Sequence, residues 1–279
     1  MCDMKQRTIL LAAMIIMAAA CANAAFYEGS ISYSITTDGD ARVDGYKSGK
    51  YLGNVNIPST VRYNGRTYDV TCIGNQAFYG CNTIESVSIP GSVTTIESGA
   101  FNWCSKLVSV NMAGGALRKI SGYAFANSGI QGITIPSSVT EMEGSVFAKC
   151  KQLTSVTLGA GLTAIPSDMC SGCSNLTYIQ IPSNIRKICD RAFQNCNLTT
   201  IDIPSKVTSI GWEVFRGNHN ISKVISRILV PKGINDKNFE PEVYNKAVLY
   251  VPLGKQSDYR KLDGWGSFKT IKAILSSAR

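Results

Sequence analysis

The feature that most constrains this chain is a period. Ile73, Ile96, Ile120, Met142, Ile165, Ile188 and Ile210 recur every 22 to 24 residues. Five residues after each stands Phe78, Phe101, Phe125, Phe147, Cys170, Phe193 or Phe215. Three further on comes Cys81, Cys104, Ser128, Cys150, Cys173, Cys196 or Asn218. An apolar-x-x-apolar-x-apolar run then closes the first six copies, from Ile84/Val87/Ile89 to Leu198/Ile201/Ile203. The seventh copy decays after Ile221 and Val224. Self-similarity at such a spacing marks a stack of like units. Val87 and Ile89 alternate with Ser86 and Ser88, the pattern of a short strand with one buried face. One such strand cannot bury its apolar side alone. Equivalent strands stacked in parallel, about 4.8 Å apart, bury it continuously.

Stacking also places the Phe of each coil on the Phe of the next, which fills the interior. Pro90, Pro136, Pro182 and Pro204 follow four of the six strands. Proline has no N–H to give a ladder and suits a strand end. Two copies depart from the pattern, since Cys170 replaces the fifth Phe and Ser128 replaces the third Cys. A stack needs covers, or its end coils expose their cores. The expected organisation is therefore a leader over residues 1–24, a β-rich N-terminal cap over 25–72, seven coils over 73–224 and a mixed α/β C-terminal cap over 225–279. Val55 and Ile57 mark strands in the first cap. Tyr250 and Val251 mark a final strand. Tyr259, Leu262, Trp265 and Phe268 mark a helical turn laid over the open end.

The spacing L-x-x-L-x-L within such a period resembles the leucine-rich repeat. More closely, the segment IGNQAFYGCNTIESVSIPGSVTTI resembles the BspA-type repeat of bacterial secreted and cell-surface proteins. The resemblance covers 73–224 directly, and the flanking segments are similar to those that open and close the family's repeat region. It implies a right-handed leucine-rich-repeat solenoid with one parallel β-strand per coil. It also implies a non-enzymatic role in adhesion or in binding host or bacterial surface proteins.

The amino terminus points outside the cytoplasm. Lys5 and Arg7 precede an uncharged apolar run over residues 8–20, and Ala22-Asn23-Ala24 has the small residues of a signal cleavage site. The run is shorter than the roughly 20 residues that span a bilayer. Ala18-Ala19-Ala20-Cys21 loosely resembles a lipoprotein box, so Cys21 is a candidate lipid anchor; plain secretion is the alternative. The chain carries a formal charge of +9, unevenly placed. Residues 222–279 hold eleven basic and five acidic side chains, while residues 25–72 balance at five each. A basic end attracts anionic surfaces, but a chain with no recognition motif is not expected to bind nucleic acid.

Little in the sequence suggests chemistry. Cys170-Ser-Gly-Cys173 has the spacing of redox and zinc sites, yet both cysteines fall in repeat slots. A zinc site takes about four ligands, and the only histidine, His219, lies two copies away. The Cys slots read as a ladder of reduced, buried thiols. Cys72, and Cys170 with Cys189, are the positions most open to bridging. Glu141 and Glu143 read as solvated surface at a turn. No phosphate-binding loop or dinucleotide motif is present, and no catalytic residue, metal or cofactor is expected.

What remains is the outward face of the strands. Ser86/Ser88, Ser109/Asn111, Gly132/Thr134, Ser155/Thr157, Tyr178/Gln180 and Thr200/Asp202 form a column of hydroxyls and amides with little charge. The candidate contacts are Ser88, Asn111, Thr134, Thr157, Tyr178, Gln180 and Asp202. Trp103, in a loop slot that other coils fill with small or polar residues, is a further one. A protein ligand is the first expectation for this face and a glycan captured as nutrient the second.

Overall fold

A computed structural model describes residues 25–47, 53–112 and 115–275. The expected leader and Cys21 lie outside the described residues. The chain winds as a solenoid whose strands run mostly in parallel. We number coils 1 to 7 from Ile73 to Ile210.

Each coil has four sides. The front strand is the one expected from the alternating run: Ile84–Ile89, Ser109–Met112, Gly132–Ile135 and Ser155–Leu158 in coils 1 to 4, Thr200–Ile203 in coil 6 and Lys223–Ser226 in coil 7. A second strand of two residues, not specified by the sequence reading, holds the recurring isoleucine on the back: Thr95–Ile96, Lys119–Ile120, Glu141–Met142, Ala164–Ile165, Lys187–Ile188 and Ser209–Ile210. Between back and front runs an arc carrying the Phe and Cys slots. A turn returns the chain from front to back.

The arc owes its shape to two left-handed residues per coil, two before and two after the Phe slot. In coil 3 these are Tyr123 (φ 58°) and Asn127 (φ 55°), and in coil 6 Arg191 (φ 54°) and Asn195 (φ 54°). Left-handed backbone opens the arc wide enough to admit a ring, and glycine or asparagine takes it at least cost. The rings stack as expected. Phe78 lies 5.1 Å from Phe101, Phe101 lies 5.3 Å from Phe125, and Phe125 lies 5.9 Å from Phe147. The column stops at Cys170 and resumes with Phe193 and Phe215, 5.9 Å apart.

The column also runs past both ends of the seven copies. Tyr46 stacks on Phe78 at 6.0 Å and Phe239 on Phe215 at 5.3 Å. Phe268 then closes edge-on at 5.2 Å from Phe239. At the amino end, strand Ala41–Tyr46 pairs in parallel with Arg66–Ile73 on the back, and Gly53–Asn56 pairs in parallel with Ile84–Ile89 on the front. These residues make an incomplete coil, covered by antiparallel strands Phe26–Glu28 and Ile31–Ile35. At the carboxyl end, Val248–Val251 is followed by one more parallel front strand, Thr270–Ala273, rather than being the last. The helical pieces Gln256–Arg260 and Trp265–Ser267 lie on the path between those two strands. Tyr259 and Trp265 are buried there, with the Tyr259 hydroxyl 2.6 Å from Ser226 Oγ.

Candidate functional site

Two rows of side chains leave the front sheet. Register places Asn54, Ser86, Ser109, Gly132 and Ser155 in one row. Asn56 with Ser88, Ser88 with Asn111, and Thr134 with Thr157 make up the other. All are neutral. All but Asn54 line a shallow open groove of about 690 Å³ furnished mostly with hydroxyls and with the amides of Asn56 and Asn111. Ser88, Asn111, Thr134 and Thr157 therefore share one surface. Gly132 leaves a notch in it, because a Cβ there would lie 2.8 Å from Ser155 Oγ.

Beyond coil 5 the face changes. Tyr178 is 53 % exposed. It lines a second depression, of about 250 Å³, with Gln180, Asp202 and Arg227. Arg227 donates from Nε and Nη2 to the two oxygens of Asp202, both at 2.8 Å. That fork raises the guanidinium's pKa above its ordinary value and fixes both charges beside the tyrosine. Tyr178 and Gln180 do not sit on a paired strand, contrary to the sequence reading. Residues 176–181 keep the position of a front strand but join no ladder. The cause lies at the junction with coil 4.

The outward column does not end at Asp202. Register carries Thr200 to Lys223, Val248 and Thr270, and Asp202 to Ile225, Tyr250 and Lys272. Lys223 Nζ lies 5.3 Å from the centre of the Tyr250 ring. These residues were missed because the repeat decays after Val224. The alternation in Lys223–Ser226 and Val248–Val251 is the signal that finds them. The face thus has a neutral amino-terminal part and an aromatic, cationic carboxyl-terminal part. Trp103 is also 53 % exposed, but it lies on the arc (φ 63°), away from the front sheet.

The Cys slot has a structural task. Cys104 Sγ donates to Phe78 O at 3.0 Å, Cys150 to Phe125 O at 3.0 Å, Cys173 to Phe147 O at 3.1 Å and Cys196 to Cys170 O at 3.1 Å. Asn218 makes the same bond from Nδ2 to Phe193 O at 2.8 Å. The slot therefore calls for a small donor that reaches back one coil. The eight cysteines of the described residues are unpaired, Cys72, Cys170 and Cys189 included. Burial pushes the Cys104 and Cys150 thiols up to about 12 and the Cys170 and Cys196 thiols up as well. In Cys170 the hydrogen bond with Cys173 is the larger cause. Such thiols are poor nucleophiles.

Two titratable groups noted in the sequence pair with neighbouring coils. His219 Nδ1 lies 2.6 Å from Glu242 Oε1, which holds that carboxyl below the usual range. Glu143 binds Lys119 at 2.8 Å and accepts from Gly122 N at 2.9 Å. Among the described residues, no group of three or more His, Cys, Asp or Glu side chains is placed to hold a metal ion. Nor is any helix among them long and apolar enough to cross a membrane.

The paired donor and ring columns, repeated coil after coil, match a known sequence pattern. The BspA type leucine-rich repeat region matches in six copies, over residues 46–154, 71–196 and 145–240. The chain belongs to the BspA-type leucine-rich-repeat family. A leucine-rich cell surface protein of Faecalibacterium prausnitzii is 25 % identical to this BspA-type chain, with a TM-score of 0.66 over 89 % of it and 72 % of the other. A leucine-rich-repeat protein of Bacteroides ovatus is 23 % identical, with a TM-score of 0.49 over 89 % and 76 %. One from Bacteroides capillosus is 31 % identical, with a TM-score of 0.43 over 48 % of this chain and 97 % of its own. No curated protein matches the chain.

Proposed function

We propose that this chain is a non-enzymatic binding module that acts outside the cell, secreted or held at its surface, and adheres to a protein ligand through its front sheet. The observation that carries the proposal is the outward face that runs from Asn54 to Lys272, mostly polar and furnished at Tyr178 with an exposed ring beside a fixed Asp202–Arg227 pair. Extended solenoid faces bind partners over many coils, and Tyr and Arg are enriched among residues that dominate binding energy. The family, and the surface location printed for the Faecalibacterium relative, support the setting.

A second reading is capture of a glycan, favoured by Tyr178 with Gln180 and Asp202 in one shallow depression. The two are separated by screening the chain from residue 25 onward against extracellular and bacterial surface proteins and against a carbohydrate array, each repeated with Tyr178→Ala. Protein binding that falls at least tenfold in the variant supports adhesion. Tyr178-dependent binding to sugars alone replaces adhesion with glycan capture. Binding to either that ignores Tyr178 removes this depression from the account.

A further inference from the structure

The solenoid is not uniformly joined. Elsewhere the back ladder continues through one backbone N–H per coil, that of the residue after the recurring isoleucine. Glu97 donates to Ile73 O (2.9 Å), Ser121 to Ile96 O (2.9 Å), Glu143 to Ile120 O (3.0 Å), Cys189 to Ile165 O (2.9 Å) and Gly211 to Ile188 O (2.8 Å). In coil 5 the residue in that slot is Pro166, which has no N–H. A companion bond, such as Arg118 N to Thr94 O or Arg186 N to Thr163 O at 2.8 Å, has no counterpart from Thr163 to coil 4. The back sheet accordingly ends at Glu141–Met142 and a new one begins at Ala164–Ile165.

The front sheet is interrupted on both sides of coil 5, most completely towards coil 4. It ends at Ser155–Leu158, and the next ladder begins at Thr200–Ile203. Thr154 donates to Gln131 O at 2.8 Å and Thr199 to Thr177 O at 3.1 Å, but no equivalent bond joins Thr177 to Thr154. The ring column breaks there too, because Cys170 supplies no ring between Phe147 and Phe193. The turn of coil 4 is pressed down on coil 3. A Cβ on Gly161 would lie 2.3 Å from Val139 O, and one on Gly159 would lie 2.5 Å from Ser137 N.

Two connections survive between coils 4 and 5 outside the apolar core. On the arc, Ser145 donates to Ser167 O (2.9 Å), Phe147 to Met169 O (2.9 Å) and Lys149 to Ser171 O (2.7 Å), with Cys173 Sγ reaching back to Phe147 O. On the opposite edge, the Asn184 amide ties the turns together through side-chain bonds to Ala160 O at 2.8 Å and to Leu162 O, next to the Arg186 N to Thr163 O bond.

We infer that the molecule is two rigid stacks, coils 1 to 4 and coils 5 to 7 with their respective caps, joined by a hinge along the arc and latched at the turn edge by Asn184. The hinge divides the front face between Thr157 and Tyr178, so its angle sets how the neutral and the aromatic–cationic parts meet a partner. The inference stands on the free protein's own bonds and holds whatever ligand the face takes.

The test measures distance distributions by electron spin resonance between nitroxides at Thr140→Cys and Lys206→Cys, which straddle the junction on its opening side. A pair at Thr60→Cys and Thr140→Cys, within one stack, is the control. All proteins carry Cys72→Ser and Cys189→Ser, which remove the two half-buried thiols. Asn184→Ala is expected to broaden the straddling distribution and shift it to longer distance while leaving the control unchanged. Pro166→Glu with Cys170→Phe, which restores the N–H and the ring, is expected to narrow it. A straddling distribution as narrow as the control in both the Asn184-bearing protein and Asn184→Ala overturns the hinge. That comparison decides the matter even if the doubly substituted protein fails to fold.

Discussion

At the scale of single residues, the Cys slot is a hydrogen-bond donor in a space too small for much else. Asn218 fills the same slot with an amide that donates to Phe193 O, and Ser128 fills it with a hydroxyl 3.3 Å from Cys150 Sγ. Cys173→Ser should therefore cost less than Cys173→Val, which leaves Phe147 O with one acceptor site unmet. The difference should be about 1 kcal/mol, read from urea midpoints. Burial also makes the thiols report on alkaline pH. Cys104 and Cys150 ionise near 12 when folded and near 9.0 in the reference state. Below pH 9 both folded and unfolded chains keep the proton, so ionisation contributes nothing. Between pH 9 and 12 only the unfolded chain releases it, and stability falls by roughly 1.4 kcal/mol per pH unit for each such thiol. Urea midpoints between pH 8 and 11 check this, and Cys150→Ser should make the decline shallower. A flat profile would mean that the thiols are not held protonated in the core.

At the scale of elements, the ring column and the close-packed turns carry the coil. Phe101 is fully buried between two stacked rings, and Phe101→Ala should cost about 3–5 kcal/mol. Two glycines offer a sharper contrast. A Cβ at Gly161 meets backbone oxygens of coil 3 at 2.3 and 2.4 Å, whereas at Gly132 it meets only the Ser155 hydroxyl at 2.8 Å. A hydroxyl can rotate away and a backbone carbonyl cannot. Gly161→Ala should thus destabilise by about 2 kcal/mol or more, and Gly132→Ala by less than about 1 kcal/mol, by thermal unfolding. The front strands, the ring column and the Cys ladder were legible because each rests on residues that recur at a fixed spacing. The back strand was not, because a two-residue strand built around one isoleucine has too few positions to show an alternation. Coil 5's missing ladder was half visible. Pro166 and Cys170 are plain in the sequence, but only register shows that they strike the same junction.

At the scale of the whole molecule, the covers are continuations of the stack rather than separate lids. Phe239 stacks on Phe215, and Tyr259 reaches the Ser226 hydroxyl. Ending the chain after Ser226 would uncover Phe215 and Val224. The shortened protein should then lose its cooperative thermal transition by circular dichroism and aggregate on size-exclusion chromatography, since an open solenoid end exposes its core. The candidate site was legible as far as Asp202. The rest of the face was hidden where helical pieces replace the back strand and stretch the spacing from Ile225 to Tyr250 to 25 residues. That hidden part also holds much of the charge, with eleven basic and five acidic side chains after residue 221. A stack charged mainly at one end experiences a torque near an anionic surface. It turns and arrives carboxyl end first, at a rate that salt suppresses. The neutral groove is then carried on the trailing part of the molecule, the last to meet that surface.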